Sequence, residues 1–320
     1  MRNPIKAAFC ALCAFAFISV ATSAHDHFNI EKTFEAKSLV EIKTVSGDCI
    51  VKKGLTDKIE VAVSASYDPE DSFEPEFSEK GNRLVVEEII HGSNSGSATW
   101  TIIVPEKTDI SFSSASGDLE VSGLNNDISV STASGDILIS NGKGELDIAT
   151  ASGSVDISNC SGQISVSLAS GNIVASRLSG NVKLATASGD IEVREMEGRL
   201  KVGSASGSIF GTDIKVTQRC SFGAASGDVE VKLAASPSAE LNISSASGKA
   251  VLNYNGNPIS GYFEFTAQVN HGRIKAPFKF DREEEFHRNG EEYVTKSCTK
   301  GADSPEIFIG TASGVAILEE

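Results

Sequence analysis

Apolar and polar residues alternate along most of the chain, and between residues 115 and 253 the alternation restarts every 18 to 21 residues. Each restart carries the tripeptide Ala-Ser-Gly. The first six copies recur with an 18-residue period, and a 20-residue step and a 21-residue step follow; the copies begin at Ala115, Ala133, Ala151, Ala169, Ala187, Ala205, Ala225 and Ala246, with a ninth at Ala312. Such a period is the sequence signature of a repeat architecture.

Each 18-residue unit contains two alternating segments. In the first, apolar residues stand two and four positions after the glycine: Leu119/Val121, Ile137/Ile139, Val155/Ile157, Ile173/Ala175 and Ile191/Val193. The second segment alternates in the same way: Ile128/Val130, Leu146/Ile148, Ile164/Val166, Val182/Leu184 and Leu200/Val202. Period-2 alternation rich in β-branched residues predicts strands with one buried face.

The two halves of the unit also resemble each other, so a nine-residue half-repeat underlies the period. Each half begins with an apolar residue, a polar residue and a glycine, which suits a tight corner because glycine tolerates positive φ and close backbone approach. The first residue is Ala in one half and larger in the other: Leu124, Cys160, Leu178, Met196 and Ile214. A small corner opposite a large one would fill a narrow core.

Two architectures fit this pattern. In a parallel β-solenoid each 18-residue unit is one coil, and equivalent residues stack ~4.8 Å apart. In an antiparallel meander, Ser-Gly would form two-residue hairpin turns. The solenoid is favoured, because a coil buries both inner faces whereas the sequence offers no amphipathic helix to cover the open face of a meander. The predicted fold class is therefore an all-β parallel solenoid.

Both flanks are β-rich but leave the 18-residue register. We predict an N-terminal β region or cap over residues 25–111, regular coils over residues 112–252, and irregular C-terminal coils and a cap over residues 253–320. Caps are expected because an open final coil exposes strand edges. Val45 ("VSGD") and Asn270 ("NHGR") begin decayed copies of the corner, and two acidic segments, "DPEDSFEP" from Asp68 and "DREEEF" from Asp281, are predicted to be loops.

The segment from Thr101 to Phe112, which leads into the regular coils, reads as strand, Val-Pro, strand. Together with the recurring "SGD(I/L/V)xV" and the closing "PEIFIGTASGVAIL" (Pro305 to Leu318), it resembles the bacterial putative-adhesin family of β-strand-repeat domains of unknown function. The resemblance covers nearly all of the chain after residue 24. It implies a right-handed β-solenoid on the bacterial surface, without catalytic residues that could be transferred to this chain.

Residues 1–24 are predicted to be a signal peptide. Arg2 and Lys6 precede a short apolar run, Ala7 to Ile18, and "ATSA" offers small residues for cleavage after Ala24. The run is too short to span a bilayer, and Cys10 and Cys13 would leave with it. Removal would leave 26 basic against 43 acidic residues, a net charge near −17. Such acidity argues against nucleic acid and anionic membranes as partners.

Four cysteines lie beyond the predicted cleavage point. Cys49 stands where the coils carry Leu, Ile or Val, Cys160 occupies the large-corner position, and Cys220 stands in a strand position equivalent to Val130. All three are expected to be core residues, although an exported location permits disulfides and Cys298 has no assigned position. The chain has no Cys-x-x-Cys and no His pair at metal spacing, so no zinc site is predicted.

Aspartate follows the corner glycine in five places: Asp48, Asp118, Asp136, Asp190 and Asp228. Stacked carboxylates ~5 Å apart repel, so either a cation bridges them or they point into water. The exposed alternative is favoured over Ca²⁺, because the paired glycines of Ca²⁺-binding β-rolls are missing. The five histidines are scattered over flanks and loops and are not expected to act in catalysis: His25, His27, His91, His271 and His287.

These observations predict an exported, non-catalytic module that is structural or binds partners at the bacterial envelope or cell surface, with a protein or a glycan as partner. No catalytic, cofactor-binding or metal-binding residue is assigned. Two alternatives remain open: a periplasmic component of an envelope-stress or assembly system, and a polysaccharide-active β-helix enzyme. The enzyme is disfavoured because the outward positions carry isolated charges, with only Trp100 and four tyrosines for stacking on sugars.

Overall fold

A computed structural model describes residues 28–92, 95–301 and 304–320. Within these residues the chain is all-β, with 26 strands and one 3-10 turn at Glu70–Ser72. The strands before the regular coils are β1 (Phe28–Glu35), β2 (Leu39–Thr44), β3 (Asp48–Lys53), β4 (Lys58–Asp68), β5 (Phe73–Lys80), β6 (Arg83–Ile90) and β7 (Ser95–Val104). The predicted signal peptide lies outside the described residues, and so do His25 and His27.

The regular coils are built from thirteen strands. They are β8 (Asp109–Ser116), β9 (Leu119–Ser122), β10 (Ile128–Ser134), β11 (Ile137–Ser140), β12 (Lys143–Ser152), β13 (Val155–Ser158), β14 (Ser161–Ser170), β15 (Ile173–Ser188), β16 (Ile191–Ser206), β17 (Ile209–Ser226), β18 (Val229–Leu233), β19 (Leu241–Ser247) and β20 (Lys249–Asn253). The remaining strands are β21 (Gly261–Gln268), β22 (Arg273–Lys275), β23 (Arg282–Arg288), β24 (Glu291–Lys300), β25 (Glu306–Thr311) and β26 (Val315–Glu319).

Equivalent residues of successive coils pair in parallel, one period apart. Ile137 of β11 pairs with Val155 of β13, and Ile128 of β10 pairs with Leu146 of β12. Two files of parallel strands result, one through β9, β11 and β13 and one through β8, β10, β12 and β14. The long strands β15, β16 and β17 contribute to both files, so the 26 strands form one hydrogen-bonded sheet. This parallel register is that of a solenoid-like repeat, and an antiparallel meander is excluded for these coils.

The alternation predicted from the sequence places the apolar residues inside. The inward positions of both files belong to one hydrophobic cluster and are at most a few per cent exposed, for example Ile173 at 0% and Ile148 at 0%. The large-corner residues Leu124, Leu178 and Met196 are buried in the same cluster. The interior is therefore a narrow core of stacked aliphatic side chains shared by the two files.

The corners repeat because their glycines lie against one another. At Gly153, φ is +119°, and an added Cβ would come within 2.1 Å of the carbonyl oxygen of Gly135 in the preceding coil. Gly162, in the other half of the unit, meets Gly144 in the same way at 2.1 Å. No side chain fits in such a gap, so a corner without a Cβ is required in coil after coil.

At several corners, a mostly buried Thr or Ser hydroxyl donates a hydrogen bond to the carbonyl oxygen of a corner glycine. Three positions before the glycine, Thr186 donates to Gly171 O at 3.2 Å, and Ser204 donates to Gly189 O at 3.1 Å. Ser245 does the same for Gly227 at 2.7 Å. Each of these three bonds joins one coil to the corner glycine of the preceding coil, whereas the equivalent Thr132 and Thr150 donate to Ser134 O and Ser152 O of their own coil.

The longer steps of the repeat are absorbed outside the strands that stack. The pairing of β16 with β17 shifts register beyond Gly198 and resumes at Leu200 and Cys220, and this shift accommodates the 20-residue step. The 21-residue step is accommodated between β18 and β19, where residues 234–240 form a loop. The inward files therefore continue without interruption.

At the N-terminal end the spatial order of the coils differs from their order in the chain. The coil of β2 and β3 pairs in parallel with β8 and β9 on one side and with β6 and β7 on the other. The outer strands are antiparallel: β1 pairs with β4, β4 with β7, and β5 with β6. The expectation that consecutive coils always lie next to each other is wrong here. The predicted acidic loop from Asp68 is also too long, since β5 begins at Phe73.

The C-terminal end is arranged in a similar way. The last coil, β25 and β26, lies between the coil of β19 and β20 and the pair β21 and β22. Strand β24 pairs antiparallel with β21 and with β23. The prediction of a loop for "DREEEF" is wrong, because residues 282–288 form the outermost strand. Asn289 and Gly290 both have positive φ, which makes the tight turn of a hairpin.

Candidate interaction surfaces

The aspartates after the corner glycines form a hydrogen-bonded ladder across the coils. The Asp118 amide donates to Asp48 Oδ1 at 2.9 Å, and the Asp136 amide donates to Asp118 Oδ1 at 2.8 Å. The same bond runs from Ser154 to Asp136, from Asp190 to Asn172, from Ser208 to Asp190 and from Lys249 to Asp228. The side chains are exposed or half-exposed, as predicted, but they also bind the backbone of the next coil.

This ladder explains the aspartates without a bridging cation. Each carboxylate directs one oxygen to a backbone N–H, a charge-assisted bond that offsets the repulsion between neighbouring carboxylates. Asn172 and Ser208 make the equivalent bond with an amide oxygen and a hydroxyl. Among the described residues, no group of three or more His, Cys, Asp or Glu side chains is placed to hold a metal ion.

Beside the ladder runs an outward-facing file in which apolar and acidic residues alternate. We call it the alternating column: Ile50, Glu120, Leu138, Asp156, Val174, Glu192, Phe210, Glu230 and Val251, in the order in which they pair. Alternation keeps like charges two strand spacings apart, roughly 9.6 Å, so that carboxylates do not lie directly opposite one another. Leu138 and Phe210 remain 42% and 41% exposed, which is unusual for large apolar side chains.

The ladder and the alternating column together line a groove of about 470 Å³ that extends over five coils. We call it the acidic groove. Its floor and walls include the carboxylates of Asp48, Asp118, Glu120, Asp136 and Asp156 and the apolar side chains of Ile50, Leu138 and Val174. Lys52 lies at its edge, with Nζ 3.8 Å from Glu120 Oε1. The groove is therefore strongly negative and partly apolar.

The outward face of the other file is different. Its central positions carry small residues and therefore form a flat surface: Ser113, Ser131, Ala149, Ser167, Ala185, Gly203 and Gly223. None of these side chains is charged, whereas every second residue of the alternating column is acidic. The two outward faces of the stack therefore differ in shape and charge along their central columns.

The alternating column was not predicted from the sequence, although its signal is present there. The third residue after each corner glycine reads Glu, Leu, Asp, Val, Glu, Phe, Glu from residue 120 to residue 230. The period of that pattern is two coils, whereas the core positions were identified as those that stay the same in every coil.

The four cysteines of the described residues have free thiols and are buried. Cys49, Cys160 and Cys220 lie in the core as predicted, and Cys298 is now placed on β24, paired with Phe263. Burial raises the pKa of the Cys49 thiol, and it raises the pKa of Cys220 to about 11. These thiols are therefore protonated near neutral pH and are poor nucleophiles.

The remaining candidate residues do not converge on a site. His91 lies near Glu74, with Nε2 3.4 Å from Oε2, His271 stands exposed in the turn before β22, and His287 is exposed on β23. Trp100 is fully buried, which contradicts the view that it could stack on a sugar at the surface. No helix in the part of the chain that the structure describes is long and apolar enough to cross a bilayer.

The sequence profile of the Toastrack DUF4097 family matches residues 35–180 and, again, residues 175–268. The search of the curated proteins gives no match. Among solved structures, a "putative adhesin" from Parabacteroides distasonis ATCC 8503 is 13% identical, with a TM-score of 0.41 over 91% of this chain and 98% of that one.

Two further solved structures are similar in coverage. A "putative lipid binding protein" from Parabacteroides distasonis ATCC 8503 is 9% identical, with a TM-score of 0.40 over 92% of this chain and 96% of that one. A "putative adhesin" from Bacteroides fragilis NCTC 9343 is 15% identical, with a TM-score of 0.33 over 92% and 96%.

Proposed function

The chain belongs to the Toastrack DUF4097 family, and from that premise we propose that it is an exported, non-catalytic interaction module that binds its partner in the acidic groove. One observation carries this proposal: a concave surface extends over five coils of a hydrogen-bonded stack, with five carboxylates and exposed aliphatic side chains along it. A rigid scaffold keeps such a surface organised before the partner arrives, which lowers the entropic cost of binding.

The chemistry of the groove favours a protein partner with a basic, partly apolar segment. Carboxylates from successive coils attract Lys and Arg side chains, and Leu138 and Val174 offer apolar contacts between them. A neutral glycan would gain little from this charge. It would also find no aromatic side chain to stack on among the described residues that line the groove. The partner we propose is accordingly a basic protein segment at the envelope or cell surface.

The absence of catalysis in this proposal is supported by what the carboxylates do. Asp48, Asp118 and Asp136 each accept a hydrogen bond from the backbone of the next coil, which is a structural task. Incubation of the purified protein with envelope polysaccharides tests this directly, and depolymerisation abolished by a single Asp or His substitution would show an enzyme.

The proposal also includes the finer architecture. We take the coils to be right-handed, since connections between parallel strands of one sheet nearly always have that hand. We take residues 25–111 and 253–320 to act as caps around the regular coils of residues 112–252, because each end finishes in antiparallel strands. An experimental structure that gives a left-handed coil would refute the first statement, and truncations that remove either flank and remain soluble and folded would refute the second.

Export rests on residues 1–24, with their basic start, apolar run and small residues before His25. Sequencing the amino terminus of the protein from cells is expected to give a chain that starts at His25. Fractionation then separates surface from periplasm. Surface exposure supports adhesion, and retention in the periplasm favours an envelope-stress or assembly role.

The groove itself is tested by capturing partners from the cell envelope with purified protein. A variant with Leu138→Arg and Asp156→Lys reverses charge within the groove. A matched control, Ser131→Arg with Asp147→Lys, makes the same changes on exposed positions of the other outward face. Proteins captured by the wild type and the control but lost from the groove variant are the expected result. Equal capture by all three proteins would contradict the groove as the binding surface.

A further inference from the structure

The N-terminal end of the molecule carries a second concave site, separate from the acidic groove. It is a cleft of about 500 Å³, and no residue of its lining belongs to the groove. We call it the aromatic cleft. Its lining comes from β1, β4, the 3-10 turn and β5: Phe28, Ala65, Tyr67, Glu70, Asp71 and Phe73. A volume in this range is typical of small-molecule sites.

The rings of the cleft are held in place by one another. Tyr67 and Phe73 stack with centroids 5.1 Å apart, and Phe28 meets Phe73 edge-on at 5.9 Å. Phe73 also packs on the buried Trp100, with centroids 6.3 Å apart. The cleft is therefore formed before any ligand binds, and a ligand would not have to order these side chains.

The buried carboxylate of Glu88 holds the Tyr67 side chain in place through a hydrogen bond to its hydroxyl. Tyr67 donates its hydroxyl to Glu88 Oε1 at 3.0 Å, and Glu88 Oε2 accepts the backbone N–H groups of Val45 and Gly47, each at 3.0 Å. Glu88 is only 4% exposed. Burial raises the pKa of the Tyr67 phenol, so this group is a neutral hydrogen-bond donor near neutral pH. Its hydroxyl proton is already donated to Glu88.

The charged part of the lining is wholly negative. Glu70 and Asp71 are exposed on the 3-10 turn at the rim, and no basic side chain is among the residues that line the cleft in the described chain. Aromatic faces carry partial negative charge and attract cations, and carboxylates at the rim add to the attraction. The combination therefore selects for positive charge in an apolar setting.

The same end of the molecule already uses an aromatic ring in this way. The ammonium of Lys32 on β1 lies over the ring of Phe77, with Nζ 4.1 Å from the centroid. Phe77 belongs to the same aromatic cluster through Trp100, at 6.2 Å. The internal contact shows that this cluster accepts a cation on a ring face.

We propose that the aromatic cleft binds a small organic cation that carries a methylated ammonium group. Methyl groups spread the charge over an apolar surface that fits the rings, and they need no hydrogen-bond acceptor within the cleft. A primary ammonium beside the rings would need such acceptors there. The Tyr67 oxygen is already bonded to Glu88 and lies 3.3 Å from Ser46 Oγ, and the carboxylates of Glu70 and Asp71 belong to the exposed rim. A free solute and a choline lipid headgroup share this chemistry.

Titration calorimetry of the purified protein with choline tests the proposal. The neutral isostere 3,3-dimethylbutan-1-ol serves as the comparison, because it has the shape of choline without the charge. Choline is expected to bind, and the isostere at least ~10-fold more weakly. Sedimentation with phosphatidylcholine vesicles identifies the source: binding to vesicles indicates the lipid headgroup, and binding to free choline alone indicates a soluble cation.

Two variants locate the binding in the cleft. Glu70→Gln with Asp71→Asn removes the rim charge from exposed positions and is expected to weaken choline binding about 5-fold. Glu120→Gln with Asp156→Asn removes the same charge from the acidic groove and is expected to leave choline binding unchanged. Phe28→Leu keeps an apolar side chain without a π face and should weaken binding by a similar factor, with an unchanged melting temperature as evidence of folding.

Three results would overturn the proposal: no heat or chemical-shift change with choline at tens of millimolar, equal affinity for choline and its neutral isostere, or equal loss of affinity in the rim and groove variants. Because none of the cleft variants touches the groove, loss of choline binding and loss of envelope partners are separate outcomes. Failure of this proposal would leave the proposed interaction function untouched.

Discussion

The regular coils and the two ends are made of the same alternating strands, yet they are assembled by different rules. From β8 to β20 the coils stack in the order in which the chain makes them, and each pairs with the next unit along the sequence. At the ends, the first coil (β2 and β3) and the last coil (β25 and β26) are inserted inside the stack instead of closing it. The repeat thus determines which strands pair only in the regular coils, where successive units have nearly the same sequence.

The difference follows from the problem that an end has to solve. A coil in the middle has an equivalent neighbour on each side, so its backbone groups and its core side chains are satisfied by copies of itself. The outermost strands have one side without a partner, and such an edge can pair with other chains. Strand β23 at the C-terminal end is exposed along its whole length and carries Glu283, Glu284 and Glu285, charges that discourage edge pairing.

The ends also connect residues over larger separations. Cys49 pairs with Leu119, several strands further along the chain, whereas Leu119 pairs with Ile137 in the very next unit. Closing the longer loop costs more conformational entropy, although the cost grows only with the logarithm of its length. Contacts of high sequence separation also slow folding. We therefore expect the regular coils to form first and the inserted terminal coils to join them.

The largest difference between the two regions is expected from a buried charge. Ile173→Asp places a carboxyl group in the core of the regular coils, where Ile173 is 0% exposed, and should lower the free energy of unfolding by about 4 kcal/mol. Ile274→Asp makes the same change in strand β22 at the C-terminal end, where the side chain is only partly buried, and should cost about 1 kcal/mol. Urea denaturation measures both.

Ile173→Val is the control for this comparison, since it removes one methylene without adding charge and should cost about 1 kcal/mol. An Ile173→Asp protein with an unchanged midpoint would show that the inward assignment is wrong. Equal losses at positions 173 and 274 would show that the ends are as tightly packed as the centre.

The next largest effect is expected at the stacked corners. In Gly153→Ala the new methyl would meet the Gly135 carbonyl oxygen at 2.1 Å, with φ at +119°, and the loss of stability should be about 3 kcal/mol. Gly203→Ala is the matched control on a strand of the same coils, where the nearest atom is 3.9 Å away and φ is not positive; it should cost less than about 1 kcal/mol. Thermal and urea unfolding of the two variants decide the matter, and similar losses would mean that the corners can shift to make room.

The strands and buried positions of the regular coils were predictable because each structural position recurs in several copies of the repeat. Aligning the glycines identified the inward positions, the large corners and the buried positions of Cys49, Cys160 and Cys220 from residue types alone. The exposure of the aspartates after glycine followed from the same alignment. Their bond to the next coil did not, because it depends on where a side-chain oxygen lies relative to a neighbouring amide, which a pattern of residue types does not give.

The spatial order of the coils at the two ends could not be predicted from the 18-residue repeat, for a different reason. "VSGD" at Val45 is identifiable as a corner, but the separation of Gly47 from Gly117 is not a whole number of 18-residue periods, so no register connected them. The hairpin of β23 and β24 was readable from Asn289-Gly290, a strong turn signal, yet the acidic composition before it favoured a loop. The aromatic cleft could not be predicted, since its rings come from three separate strands.

A smaller effect is expected from the ladder. Asp118→Ala removes the acceptor of the Asp136 amide, a bond of 2.8 Å, and should lower stability by about 1 kcal/mol. Asp118→Asn keeps an acceptor oxygen and should cost much less, so the ratio of the two losses separates the hydrogen bond from the charge. Asp156→Ala, at an exposed position of the alternating column beside the ladder, is the control and should be within about 0.5 kcal/mol of the wild type. If Asp118→Asn and Asp118→Ala lose the same amount, the ladder does not stabilise the stack.

The smallest effect distinguishes the turns of the regular coils from those of the ends. One column of residues at the large corners has φ between 51° and 56° in five successive coils: Asn141, Asn159, Arg177, Glu195 and Asp213. Asn tolerates this left-handed conformation better than Glu does, and the end hairpin uses Asn289 and Gly290 for the same purpose.

Glu195→Asn should therefore raise the free energy of unfolding by about 0.5 kcal/mol. The exposed pair between Arg177 Nη1 and Glu195 Oε1, at 3.8 Å, is worth too little to reverse that gain. Asn141→Ala, which removes a favourable residue from the same column, should lose a similar amount, and a gain in that variant would show that the regular corners are not limited by their backbone conformation.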